Sequence, residues 1–514
     1  MATLREKLAE ALSLLKVLQD NGEVAIHTGE LPGDQRTLLV KRGFLKEVSK
    51  GWYIPSDPLG NPGDSTAWYS SYWDFCAKFL EHKYGNDWCI SPEQSLLIHA
   101  GNWSVPAQLI VRSPKANNTP MSLPHQSSLF NLKAEIAANT TIIINGIRMY
   151  QEQAALVYSS PAIFTSNPID TRTGLSMIRD ASELLPMLLE NGHTRIAGRL
   201  AGAFRNIGRE KIATDIVETM KAAGFDTRES DPFAYRLDID LSPRERSPQV
   251  NRIKLLWKEM RKVVIHNFPK PPGMAKDIAG YLKQVDEIYV TDAYHSLSIE
   301  RYRVTPELIE RVRSGEWDKG GNQGDKKQKD AMAARGYWQA FQEVKSSINA
   351  ILNGANPGTQ LSRDHSKWYR ELFDPSVAAG ILRPVDLAGY RGNQVYIGGS
   401  KHVPLSVEAM RDVMPVFFEL LEAEPEASVR AVLGHFIFVF IHPYMDGNGR
   451  IGRFLMNAML ASGGYPWTVI PVEKRNTYMQ ALEKASAEQD ITPFVQFIAH
   501  LVELGMQGKP EAHL

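Results

Sequence analysis

Apolar residues recur at helical spacing almost from the first residue: Leu4, Leu8, Ala11, Leu12, Leu15 and Leu18 predict an amphipathic helix over 4–19. A second short helix follows at Asp34–Arg42. The runs Gly43-Phe44-Leu45-Lys46 and Lys50-Gly51-Trp52-Tyr53-Ile54 then read as the two strands of a small hairpin. Pro58-Leu59-Gly60-Asn61-Pro62-Gly63-Asp64 has the composition of a linker. Beyond it, strand-like Leu109–Val111 and Thr141–Ile144 and helical Ile212–Ala223 predict a mixed α/β (α+β) region. From Pro248 the pattern is helical, with helices expected at Leu255–Val264, Ala275–Tyr289, Glu307–Arg313, Trp338–Leu352 and Ser406–Glu422. More follow at Ala427–Ile441, Arg450–Ser462, Thr477–Glu488 and Ile491–Leu504. The glycine- and lysine-rich stretch Trp317–Asp330 interrupts them and reads as a solvated loop. A multidomain chain is expected, divided as 1–57, 65–240 and 248–510.

Composition changes this picture little. The 514 residues are 43% hydrophobic and 23% charged, ordinary for a soluble globular chain of two to four domains. Lys plus Arg and Asp plus Glu number 58 each, so no charge excess demands nucleic acid or a membrane surface. Cys76 and Cys89 cannot build a zinc quartet and are not spaced C-x-x-C, which leaves two reduced, partly buried thiols. Met1–Lys16 mixes acids and bases among its apolar residues, unlike a signal peptide, and no apolar run reaches membrane length. The expectation is a cytoplasmic protein with no membrane partner.

The chemistry concentrates in His442-Pro443-Tyr444-Met445-Asp446-Gly447-Asn448-Gly449-Arg450-Ile451-Gly452-Arg453. Gly447 and Gly449 can take backbone angles closed to other residues, so that successive N–H groups converge on a phosphate, and Asn448 adds a side-chain donor. A helix beginning near Gly449 would aim its free N–H groups and positive dipole end at the same anion. Arg450 and Arg453 near that end call for a compensating negative charge. Asp446 offers oxygen ligands suited to Mg²⁺, and His442 can accept a proton near neutral pH. Gly447–Gly452 also satisfies G-x-G-x-x-G, the dinucleotide-binding fingerprint. Against that reading, Val429, Val432, Leu433 and Phe436 extend the preceding apolar run at helical spacing, a charged His-Pro-x-x-Asp abuts the glycines, and only a short tail follows Glu473.

This segment resembles the Fic-domain signature His-Pro-Phe-x-(Asp/Glu)-Gly-Asn-Gly-Arg-x-x-Arg, with Tyr444 in place of Phe the one departure. The resemblance implies an all-α C-terminal Fic fold that transfers AMP from ATP to a Ser, Thr or Tyr hydroxyl of a target protein. It makes His442 the general base, Asp446 the Mg²⁺ ligand, Gly447, Asn448, Gly449 and Arg450 the phosphate loop, and Arg453 a clamp on the γ-phosphate. Tyr478, with Asn476, falls where such domains place adenine contacts, while His435 reads better as a core histidine. Val395, Tyr396, Ile397 and Gly398, within Tyr390–Pro404, resemble the β-hairpin flap that docks an extended target segment. Ser296-Leu297-Ser298-Ile299-Glu300-Arg301 resembles the inhibitory helix (Ser/Thr)-x-x-x-Glu-(Gly/Asn), in which the glutamate, here Glu300, pairs with Arg453. Arg301 departs from that pattern and puts the strength of inhibition in question.

Helix, helix, strand and wing in the first sixty residues give the order of a winged helix. Leu38–Leu45 with Gly51-Trp52-Tyr53 is similar to abortive-infection-type antitoxins, which implies DNA contact or a protein-docking role. Arg36, Lys41, Arg42, Lys46 and Lys50 are the bases that could meet phosphates, although acidic residues balance them. Three alternatives stand beside AMP transfer: removal of AMP from a modified target, transfer from another nucleotide or diphosphate donor, and a DNA-binding regulator. Homo-oligomerisation is left open.

Overall fold

Thr3 opens the first helix with its own side chain. Its hydroxyl accepts from the Glu6 N–H and the Glu6 carboxylate takes the Thr3 N–H, a capping box at the start of α1 (Leu4–Asp20). The structure, a computed structural model, describes residues 3–60, 63–190, 192–237, 241, 247–316 and 329–514. The stretch 317–328, which covers most of the expected solvated loop, lies outside the described residues, as do Asn61 and Pro62 of the expected linker. The chain divides into two compact units: the residues up to Arg252 with Tyr396–Val403, and Ile253–Val395 with Pro404–Leu514.

In the first unit α1 is followed by β1 (Ile26–His27), α2 (Gly33–Lys41), β2 (Leu45–Ser49) and β3 (Trp52–Pro55). These strands form an antiparallel sheet of order β1-β3-β2. Ala11, Leu15, Ile26, Leu31, Leu39 and Leu45 bury the small core of this module. The two helices and the hairpin lie within a few residues of their expected places, whereas β1 is two residues long and leaves no pattern to read. Among the bases expected to face phosphates, Lys41, Arg42, Lys46 and Lys50 are exposed. Arg36 is not available in the same way: it donates to the Thr28 and Leu31 carbonyls and lies 5.6 Å over the Tyr53 ring.

The rest of this unit runs α3 (Thr66–Tyr84), β4 (Cys89–Ile90), α4 (Pro92–His99), β5 (Gln108–Ser113), β6 (Thr119–Leu123), β7 (Ser127–Lys133), β8 (Thr141–Ile144) and β9 (Ile147–Tyr150). The helices α5 (Glu152–Tyr158), α6 (Ile163–Ser166), α7 (Pro168–Met177), α8 (Leu185–Glu190), α9 (Thr194–Asn206) and α10 (Glu210–Ala222) follow. The larger sheet has the order β4-β5-β7-β6, with β5 parallel to β7, and β8 pairs with β9 apart from it. Trp68, Tyr72 and Phe75 of α3 share a core with Leu109, Val111 and Leu129 of this sheet. The strands read at 109–111 and 141–144 are β5 and β8, and the helix read over 212–223 is α10.

The second unit is helical: α11 (Pro248–Asn267, in this unit from Ile253), α12 (Ile278–Ile299), α13 (Pro306–Arg313), α14 (Lys329–Leu352), α15 (Pro357–Ala378), α16 (Val407–Ala423), α17 (Ala427–Ile441), α18 (Asn448–Ala461), α19 (Arg475–Ala487) and α20 (Thr492–Met506). α17 and α18 are buried along almost their whole length and form the centre of the unit. Two expectations need correction. α12 runs ten residues past its expected end, carrying the Ser296–Glu300 segment on its last turns, and α15 lies where no helix was expected. No strand forms between Tyr390 and Leu405, where the flap hairpin was expected. The backbone of that stretch is engaged elsewhere: the Gly399 N–H goes to the Thr66 hydroxyl at 3.0 Å, the Lys401 carbonyl takes the Val105 N–H at 2.8 Å, and Ser400 closes a turn on Ile397.

Among the described residues no helix is long and apolar enough to cross a membrane. α14 and α15 touch through their backbones at Gly336, where an added Cβ would collide with the Leu372 carbonyl. Gly336→Val should therefore force the helices apart and destabilise the unit by about 1–3 kcal/mol, read as a lowered denaturant midpoint at unchanged slope.

Candidate active site

α17 has to end where it does, because Pro443 disfavours helical angles at the residue before it. His442 takes the left-handed conformation, φ 55° and ψ 60°, uncommon for a residue with a side chain. Buried Arg391 holds it there. The Arg391 backbone N–H bonds the Pro443 carbonyl at 2.9 Å, its Nε the His442 carbonyl at 2.8 Å, its Nη1 the Asn393 carbonyl at 2.9 Å, and its Nη2 the Leu405 carbonyl. The imidazole is held as well: Nδ1 lies 3.2 Å from the Val439 carbonyl, so Nδ1 carries the proton and Nε2 keeps the lone pair. Burial pushes the imidazole down to about 4, with the Val439 carbonyl opposing the shift. At neutral pH this is a neutral base in one tautomer.

The loop that follows is folded on itself. Tyr444 is fully buried and stacks on Tyr369 of α15 with centroids 3.9 Å apart and planes 4° from parallel. Its hydroxyl has no hydrogen-bond partner among the described residues, so the ring and not the hydroxyl anchors the loop. Asn448 closes the turn, accepting from the Tyr444 N–H at 2.9 Å and donating to the Tyr444 carbonyl at 2.8 Å. The side-chain donor expected to reach an anion is thus committed to the loop, and what Asn448 offers outward is backbone. Gly447 sits at φ 81°, and a Cβ there would strike the Phe373 ring, so both strain and space exclude a side chain. α18 then starts: its first bond runs from the Ile451 N–H to the Gly447 carbonyl, which leaves the first-turn N–H groups for an anion.

Two arginines flank that helix start. Arg450 is 1% exposed and lies between the Tyr302 and Phe373 rings, 5.1 and 4.9 Å from their centroids. Its Nε and Nη2 make no hydrogen bond among the described residues, although Nη2 lies 3.4 Å from Asp446 Oδ2. Arg453 is 4% exposed, and its partners come from the end of α12: Nε donates to the Ser296 hydroxyl at 2.9 Å, and Nη2 to the Ser296 carbonyl at 3.0 Å and to Glu300 Oε1 at 2.8 Å. The same carboxylate lies against Gly449, where any Cβ would collide with it. Glu300 therefore places a negative charge at the amino end of α18, where the helix dipole favours one.

α12 is clamped in this position. Arg475 Nε bonds the Ile299 carbonyl at 2.7 Å, and the His295 ring bridges the Val472 N–H at 3.1 Å and the His513 carbonyl at 3.0 Å. The helix ends in a Schellman motif, with Tyr302 N–H on the Leu297 carbonyl and Arg301 N–H on that of Ser298. Arg301 occupies the left-handed position of that motif at φ 67°. The departure noted in the sequence thus falls where glycine or asparagine is conformationally easier.

The remaining candidates separate. Asp446 is exposed, 66% for its side chain, and its Oδ1 accepts from the Gly447 N–H at 2.6 Å. No cluster of three or more His, Cys, Asp or Glu arranged for a metal occurs among the described residues. A lone exposed carboxylate beside an anion cradle does fit Mg²⁺, which is commonly held by one or two carboxylates together with substrate phosphates. Tyr478 is a correction: it is buried, its hydroxyl bonded to His435 Nε2 at 2.7 Å and its ring packed on Phe494, so it is core and not a platform for adenine. His435, as expected, is a core histidine, pushed down to about 3 by burial. Sequence reasoning passed over Tyr369 and Phe373, both on the unpredicted α15. Its signal was present in Asn356-Pro357 as cap and first residue, followed by Leu361, His365, Trp368, Leu372 on one face.

Two measurements check this geometry. In a titration followed by imidazole NMR, the His442 signal should stay neutral until pH approaches about 4; a midpoint near 6.5 would contradict the burial described. Arg301→Gly should relieve the left-handed strain and stabilise the α12 terminus by about 0.5–1 kcal/mol, seen as a raised melting temperature.

Residues 360–460 match the family model described as Fic/DOC family. Proteins named Protein adenylyltransferase Fic from Drosophila yakuba and Drosophila melanogaster are 41% and 40% identical over 128 residues, 24% of this chain and 25% of each relative. The match thus spans about a quarter of the length of those relatives. Among solved structures, Fic-1 (aa134 - 508) from C. elegans is 17% identical with a TM-score of 0.37, covering 68% of this chain and 98% of that one. A Fic domain containing signaling protein from Bacteroides thetaiotaomicron is 19% identical with a TM-score of 0.34, covering 51% and 99%. At those scores the structural likenesses add nothing to the site geometry. The family match and the loop it contains say that this chain carries a Fic/DOC family domain at residues 360–460.

Proposed function

We propose that the chain is a protein adenylyltransferase, moving AMP from ATP to a hydroxyl side chain of a target protein, and that Glu300 restrains it. The observation that carries this reading is the place of the Glu300 carboxylate: bonded to Arg453 and lying against Gly449, it marks a cradle built for an anionic oxygen. A terminal phosphate and Glu300 would compete for the same guanidinium fork. The target hydroxyl attacks the α-phosphorus, its proton passes to His442 Nε2, the bond from the α-phosphorus to the bridging oxygen breaks, and pyrophosphate leaves. The α18 N–H groups and Arg450 face the charge that develops. Asp446 would hold Mg²⁺ with the donor's phosphate oxygens, and the ion would supply charge neutralisation there.

The relatives named for adenylyl transfer support this reading, as does the neutral, single-tautomer His442. The target would approach from the side of Val395–Gly398, as an extended segment. The N-terminal module enters the proposal as a winged helix that docks a partner, with Lys41, Arg42, Lys46 and Lys50 as the bases that DNA phosphates would meet.

With α-labelled ATP and Mg²⁺, label should appear on protein, rise in Glu300→Gly, and fall at least about 100-fold when His442→Ala is added. Unchanged labelling after His442→Ala would remove the base assignment, and equal labelling of wild type and Glu300→Gly would remove the restraint.

A further inference from the structure

α12 presents three polar side chains one turn apart, Asp292, Ser296 and Glu300, at i, i+4 and i+8. Ser296 and Glu300 bond Arg453 directly. Asp292 has no part in the chemistry described above, and a carboxylate 3% exposed needs a reason to be there. The hydroxyl of Tyr337, itself fully buried on α14, donates to Asp292 Oδ2 at 2.6 Å. Tyr337 also reaches the Ser296 hydroxyl, and its ring lies 4.7 Å from that of Phe454, the residue after Arg453. A polar chain thus runs from Asp292 through Tyr337 and Ser296 to Arg453 and ends at Glu300.

The two carboxylates differ in one respect that matters. Glu300 is a third exposed at the mouth of the cradle and can leave, whereas Asp292 is enclosed and cannot. Departure of Glu300 would leave Arg453 with Ser296 alone, a neutral partner for a buried cation. The restraint proposed for Glu300 is workable only if some other negative charge remains near the guanidinium.

We propose that Asp292 is the standing counter-charge of Arg453, shared with Glu300 in the restrained state and left as the nearest buried carboxylate while the cradle changes occupant. Burial drives the Asp292 carboxyl up to about 6, and the Tyr337 bond and the charge of Arg453 hold it from rising further, so at neutral pH it is ionised. An ionised Asp292 weakens the pull of Arg453 on whatever anion enters. It therefore tempers the grip on Glu300 and on a phosphate alike, and it acts by positioning and charge without touching substrate. This deepens the proposed function, since it assumes that Glu300 and a phosphate take turns at Arg453.

The test is a double-mutant cycle on the full chain with Asp292→Asn and Glu300→Gln, both of which remove charge and keep shape, read by thermal unfolding. Either change alone leaves Arg453 one carboxylate; both together leave none, so the combined loss of melting temperature should exceed the sum of the single losses. Addition of Arg453→Met to the double variant should recover stability, and this arm decides the matter if the double variant fails to fold. In parallel, ATP affinity is measured by titration calorimetry in Glu300→Gly with and without Asp292→Asn. Removal of the tempering charge should tighten ATP several-fold, whereas mere damage to packing would weaken it. Additive losses, no recovery with Arg453→Met, or an ATP affinity unchanged or weakened would each overturn the proposal. The stability cycle does not depend on AMP transfer, so a chain that labels no protein but shows the coupling would contradict the proposed reaction and leave the counter-charge standing.

Discussion

Arg453 is a guanidinium at the buried centre of a helical unit, and a buried cation without an opposing charge is among the most destabilising features a fold can contain. The surroundings of the site follow from that constraint. α18 carries the arginine, α12 is clamped by Arg475 and His295 so that its last turn reaches it, and Glu300 ends α12 at the charge. Breaking a buried ion pair by removing one partner typically costs about 3–5 kcal/mol, and with Glu300 a third exposed the figure falls toward or below the lower end. The same requirement makes the slot a binding site, because an incoming phosphate satisfies the guanidinium as well as the carboxylate it displaces.

The base sits on an equally constrained element. His442 leaves the helix in a left-handed conformation because Pro443 follows it, and Arg391 spans the turn with bonds to both carbonyls. Asn448 closes the loop from inside, Gly447 bends it, and the Tyr444 ring fixes it against Tyr369. None of these groups needs to touch a substrate. Together they fix where Nε2 of His442 and the first N–H groups of α18 stand relative to each other, which is the preorganisation that electrostatic stabilisation depends on.

Much of this was legible in the chain and some of it was not, for identifiable reasons. The loop residues declare themselves because glycine, proline, histidine and arginine at fixed spacing have few other uses, and α17 and α18 show as long apolar repeats. Glu300 was found by its motif, while the meaning of Arg301 needed the backbone angle. α15 escaped because Ser362, Arg363, Asp364 and Lys367 break up an apolar face that only the packed helix makes continuous. Tyr478 and Asn448 look like ligand contacts in sequence and turn out to be committed inward, since no local pattern says which way a polar side chain faces in a buried helix. The expected flap failed for the same reason in reverse: an alternating run is only a strand if its backbone groups find each other, and those of Gly399 and Lys401 are bonded elsewhere.

The most direct test of the central claim, that Arg453 holds one anion at a time, is a crystal structure of the chain with Mg²⁺ and a non-hydrolysable ATP analogue. A terminal phosphate within hydrogen-bond distance of Arg453, with the Glu300 carboxylate withdrawn from its 2.8 Å contact, is the predicted result. A nucleotide fully seated on the loop while the Glu300–Arg453 pair stays intact would contradict it.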